Sequence, residues 1–113
     1  MAAPNPLISA PPYAVDQALK RLGANLRTAR TRRGLTVGEV AKKIGTGRRA
    51  VDDAERGKAS TGVAVYLALL WAYDLLGQFD SVADPTRDAE GVALAKTRER
   101  TRARRSRAPD NDF

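Results

Sequence analysis

The stretch that most restricts this chain is LTVGEVAKKIGTGRRAVDDAERGK, residues 35–58. Val40, Ala41 and Ile44 recur at helical spacing before Gly45, and Ala50, Val51 and Ala54 recur after it. Isolated helices of about eight residues are marginal in water, so each must bury its stripe against neighbours. Thr36 with Glu39 three residues on has the spacing of a capping box and opens the first helix, over 37–43. Gly45 closes it; the second helix runs from about Arg48 to Glu55 and stops before Gly57.

Gly45-Thr46-Gly47 raises the question of a phosphate-cradling loop. A Walker loop needs G-x-x-x-x-G-K-[ST] after a buried strand, whereas these glycines follow a helix and precede Arg48-Arg49. The block instead has the spacing of two helices joined by a tight turn. Ala41 is small where the second helix crosses, Gly45 lies in the turn, and Val51 pins the second helix from six residues further on.

Around this block the chain reads as all-α. Residues 1–12 carry four prolines and are expected to form a flexible arm. From Ala14, the positions Val15, Ala18 or Leu19, Leu22, Leu26 and Ala29 mark a helix that Gly34 ends. Ser60 or Thr61 is expected to cap a fourth helix over 62–74, and LLGQFDSVA to form a short fifth. Trp71, Tyr66 and Tyr73 on the fourth are expected in the core, with base stacking the minor alternative. Asp84-Pro85 breaks the chain; a helix can follow from Asp88 to about Arg100, with the last third disordered when free. The expected divisions are an arm at 1–13, a folded domain at 14–84 and a basic extension at 85–113.

Composition narrows the chemistry. With no cysteine and no histidine, disulfides, thiolate metal sites, imidazole switches and Cys or His nucleophile–base pairs are excluded. No cofactor, no metal site and no enzymatic activity is expected. The net charge of +7 points to an anionic partner. The apolar run VAVYLALLWAY (63–73) stops at Asp74, short of the roughly 18–20 residues that span a bilayer. The first residues have no basic and apolar signal pattern, so a cytoplasmic location is expected.

The positions Leu35, Thr36, Val40, Ala41, Ile44, Gly45, Val51, Glu55 and Gly57 resemble the pattern of the Cro/λ-repressor (XRE) family of helix-turn-helix domains. The resemblance spans about residues 19–83. It implies a five-helix, λ-repressor-like DNA-binding domain between a flexible arm and a basic tail. The recognition helix would start near Gly47, placing Arg48 and Arg49 at its groove-facing end, where arginine can fork onto guanine. Thr46 and Ala50, which flank these positions, would also belong to the DNA-binding surface, and Asp53, one turn after Arg49, occupies a position that faces bases in the family. Arg56, Lys58 and the N–H groups near Thr36 and Gly47 would hold phosphates. Arg30 and Glu55 would form a structural ion pair.

Two departures stand out. Val37 replaces a polar residue that often contacts phosphate, and Gly47 replaces a Ser or Thr cap. The acidic pair stays open between three readings: Asp53 accepting from cytosine N4, Asp52 pairing with Arg48 or Arg56 at i±4, or both as solvated charges. Leu75, Leu76 and Phe79 exceed the needs of a small core and are candidates for a dimer seam. The run Lys96, Arg98, Arg100, Arg102, Arg104, Arg105 and Arg107 is a solvating tail, a source of phosphate contacts or a docking segment.

The expected function is a sequence-specific repressor that binds double-stranded DNA at a palindromic operator as a homodimer. The segment after the motif, with its LLW, LL…F, ADP and basic stretch, is similar to that of HipB-type antitoxins. That resemblance implies repression of the protein's own operon and binding of a HipA-type kinase toxin. The alternatives are a stand-alone phage- or plasmid-type repressor, or an interaction module that uses the fold without specific DNA recognition.

Overall fold

The computed structural model describes residues 5–107, and every regular element in that range is helical. The elements are α1 (Pro6–Ser9), α2 (Tyr13–Arg32), α3 (Val37–Ile44), α4 (Arg48–Glu55), α5 (Val63–Ala72), 3₁₀ segments at Leu76–Ser81 and Pro85–Arg87, and α6 (Ala89–Arg107). The chain divides into two compact units between Phe79 and Asp80.

In the first unit, α2 to α5 enclose a core of Leu26, Val40, Val51, Leu69 and Tyr73, lined by Ala29, Ala41, Ala54 and Ala72. Burying each large aliphatic contributes roughly 1.5–3 kcal/mol, and the alanines let the helix axes approach. The stripe on α2 becomes buried only where α3 to α5 cover it. Leu19 and Leu22 pack partly, Leu26 and Ala29 fully, while Val15 is 42 % exposed, contrary to its expected inward position.

The helix ends follow one plan. Thr36 Oγ1 accepts from Glu39 N (3.1 Å) and Glu39 Oε1 accepts from Thr36 N (3.0 Å), completing the capping box on α3. The bond from Thr36 N first, and the Thr36 hydroxyl beside it, hold the Glu39 carboxyl below the usual carboxylate range. At the other end of α3, Thr46 N donates to Ala41 O, with Gly45 left-handed at φ 81°. The same closure ends α4 through Lys58 N to Asp53 O, and α5 through Leu75 N to Leu70 O, the latter with the non-glycine Asp74 at φ 58°. The start of α5 differs from expectation: Gly62, not Ser60 or Thr61, is its N-cap, without a side-chain bond. The Thr61 hydroxyl is buried and faces the Tyr66 phenol instead.

Two segments are more helical than the sequence implies. Pro6 occupies the first position of α1, where its missing N–H costs nothing, and Asn5 caps that turn through Leu7 N (3.0 Å). In the second unit, α6 continues past Arg100 to Arg107, its start capped by Asp88 Oδ1 accepting from Gly91 N (2.9 Å).

A close approach between α2 and α4 sets the angle of α4. A β-carbon on Gly23 would stand 2.5 Å from the carbonyl oxygens of both Ala54 and Glu55. A β-carbon on Gly57, left-handed at φ 69°, would likewise stand 2.5 Å from Lys20 N. At both places the atoms a β-carbon would meet are backbone, and they cannot yield by a side-chain rotation. Gly23→Ala is therefore expected to melt lower by thermal unfolding, losing about 1–3 kcal/mol to overpacking despite better helix propensity. A raised melting temperature would show that α2 and α4 separate without cost.

Candidate nucleic-acid interface

The interface is built from α3, the turn 45–47 and α4. Val51 and Ala54 bury one side of α4, which leaves Arg49, Arg56 and the N-terminal Arg48 exposed and Asp52 half-buried. Gly47 caps α4 without a side-chain bond, so the first-turn N–H groups point outward beside two arginines. Thr46 and Gly47 are exposed and Ala50 is half-buried. Thr36 is exposed at the start of α3, and Lys58 is exposed just past α4.

Arg48 is not free-standing. Its guanidinium lies across Gly38 in the first turn of α3, where a β-carbon would meet Nε at 2.9 Å. This cation thus sits beside the amino end of α3 as well as that of α4. The signal in the sequence is the glycine at 38, a residue that otherwise weakens a helix.

Of the three readings of the acidic pair, the ion pairing of Asp52 along the helix is not what the structure shows. Among the described residues Asp52 makes no ion pair with Arg48 or Arg56. Asp53 instead reaches Lys58 Nζ at 3.9 Å, across the helix end that Gly57 folds back. Asp53 also lines a concave patch with Asp16, Lys20, Arg56 and Lys58, alongside Ile8 and Pro11 from the amino-terminal segment.

Behind the interface, Arg30 and Glu55 tie α2 to the end of α4. Arg30 Nε donates to Glu55 Oε2 (2.7 Å) and a terminal nitrogen donates to Oε1 (2.9 Å), a two-pronged pair with side chains 12 % and 8 % exposed. The third nitrogen donates to Leu35 O (2.9 Å), linking the loop before α3 to the same guanidinium. The hydrogen bond to Glu55 raises the Arg30 pKa against the opposing effect of burial.

Tyr73 lies against this pair, and sequence reasoning missed the cation that covers it. The Arg33 guanidinium stands 5.5 Å from the centre of the Tyr73 ring and donates to the carbonyls of Ala29 and Tyr73 (2.9 Å each). Burial first, and then the Glu55 charge, push the Tyr73 phenol up to about 12, with Arg30 and Arg33 acting the other way. Because the folded pKa is the higher one, this contribution to stability is complete below about pH 10 and is lost as pH rises towards 12. The Tyr73 hydroxyl has no hydrogen-bond partner among the described residues. Tyr73→Phe should be close to neutral near pH 7 and should lessen the fall in melting temperature between pH 10 and 12. An unchanged alkaline profile would place the sensitivity elsewhere, first at Tyr66, whose phenol burial also raises.

Trp71 departs from its expected place in the core. It is 54 % exposed, with Lys43 Nζ 5.9 Å from its ring centre and donating to Ala72 O (3.3 Å). The uniformly apolar run of α5 hides which side faces out; Tyr66, Leu69, Leu70 and Ala72 take the inward positions. Of the three seam candidates, Leu75 packs partly on the chain's own core, while Leu76 and Phe79 are exposed.

Residues 21–78 match the family described as Helix-turn-helix domain. The match covers half of the chain, and the protein belongs to this family, in keeping with its XRE-like pattern. It is accordingly a DNA-binding regulator of the helix-turn-helix class, a class that is typically non-enzymatic. No curated protein and no solved structure matches the chain. No helix among the described residues is long and apolar enough to cross a membrane.

Proposed function

We propose that the protein is a sequence-specific, dimeric transcriptional repressor, and more specifically a HipB-type antitoxin that represses its own operon and binds a HipA-type kinase. The observation that carries the repressor reading is the asymmetry of α4. Its carboxyl end is held by Gly23, Gly57 and the Arg30–Glu55 pair, while its amino end presents Arg48 and Arg49 beside uncapped N–H groups. A helix fixed at one end and basic at the other can hold two guanidinium forks in register with base edges. Arg56, Lys58 and the amino end of α3 near Thr36 supply phosphate contacts that set this register. Asp53 reads a base by releasing Lys58, which then turns to the phosphates.

The dimer reading rests on exposed Leu76 and Phe79, while Leu75 packs partly on the chain's own core. A two-fold pair of such domains would address the two halves of a palindrome. The antitoxin reading rests on the likeness of the segment from LLW to the basic run, in which Trp71 is an exposed aromatic.

The test is binding to the DNA upstream of the protein's own gene against random duplex, with competitor and across salt concentrations. A repressor prefers its own promoter by a factor on the order of 10³ or more, whereas an interaction-only module shows no preference. Co-expression with the product of the adjacent gene separates the antitoxin from a stand-alone repressor. The antitoxin forms a complex with a kinase encoded there.

A further inference from the structure

We propose that α6 is a second DNA-binding element, which lies in the major groove of a duplex and neutralises phosphates on both walls. The inference rests on the DNA-binding reading above and deepens it. Lys96, Arg100 and Arg104 recur every fourth residue, and Arg98, Arg102 and Arg105 follow at i, i+4 and i+7. At about 100° per residue the two rows lie on opposite sides of one helix, with successive cations about 6 Å apart at i, i+4. All six side chains are exposed, and among the described residues none has an ion-pair partner.

The opposed rows decide the class of partner. A membrane-surface helix needs an apolar face, and between Lys96 and Arg107 Ala103 is the lone apolar residue. A folded acidic protein would cover one side and leave the other row repelling itself at i, i+4. A major groove about 12 Å wide accepts a helix about 10–12 Å in diameter between two phosphate walls, so both rows are matched at once. Thr97 and Thr101 commit their hydroxyl donors within the helix, to Ala93 O (3.1 Å) and Thr97 O (3.0 Å), and so present no O–H to base acceptors. The contact is therefore to the backbone and adds affinity at any sequence.

The experiment uses the full chain and a random-sequence duplex, with the binding constant followed by fluorescence anisotropy across salt concentrations. One triple variant carries Lys96→Gln, Arg100→Gln and Arg104→Gln, and the other Arg98→Gln, Arg102→Gln and Arg105→Gln. Glutamine keeps helix propensity while removing charge. Each triple variant should reduce the slope of log K against log salt by about 2–3, and the two together by about 5. A slope that responds to only one row shows a one-sided contact and overturns the proposal. Slopes that respond to neither row overturn it too, while a response to Arg48→Ala in the same assay leaves the helix-turn-helix reading standing. A wild type that binds no duplex overturns both readings. Row-dependent binding to phosphatidylserine vesicles, with DNA slopes unchanged, assigns α6 to a membrane surface instead.

Discussion

Glu55→Gln should lower stability by about 3 kcal/mol, the cost of leaving one member of a nearly buried pair without its counter-charge. The amide keeps the shape and one acceptor for Arg30 but loses the carboxylate that both nitrogens address. Arg30 then remains a shielded cation whose other bond, to Leu35 O, compensates only in part. For a domain of this size the loss corresponds to a fall of roughly 10–20 °C in melting temperature. Replacing both partners, as Arg30→Met with Glu55→Met, should recover part of the loss, because no unpaired charge is left behind. The single variant should also loosen the carboxyl end of α4 and so weaken discrimination between DNA sequences at temperatures where the fold survives. If Glu55→Gln melts like the wild type, the pair does not anchor α4, and the orientation of that helix rests on Gly23 and Gly57 alone.

Substitution of Arg48 and Arg49 should give the largest change in sequence preference. Each good two-pronged contact to a guanine contributes roughly 1–3 kcal/mol of discrimination. Lysine keeps the charge but loses the planar fork, so Arg→Lys isolates geometry from electrostatics. At whichever position meets a guanine, lysine should retain much of the affinity for random duplex while narrowing its gap to the operator by about ten-fold or more. Alanine should reduce both. The two positions are not equivalent in the free protein: Arg49 projects from α4, whereas Arg48 lies across Gly38 on α3. If double replacement by lysine and by alanine both leave the operator-to-random ratio unchanged, α4 does not read the sequence.

The helices around the turn were legible in the sequence because short-range chemistry defines them. Thr36 with Glu39, the left-handed Gly45, and the boundaries of α4 at Arg48 and Glu55 depend on residues no more than about five apart. The apolar spacing within 35–58 likewise required the two helices to share one core, and the basic balance pointed to a polyanion. What faces what was decided only by tertiary packing. Trp71 and Leu70 are adjacent in a continuous apolar run, and the covering helices bury one and leave the other out. Gly23 sits mid-helix with no local requirement; only the carbonyls of Ala54 and Glu55 explain it. Asp53 had several cations within reach along the chain, and the fold-back at Gly57 selected Lys58. A helical period encodes a stripe, but a stripe has no address until another element closes over it, because burial is a property of the pair.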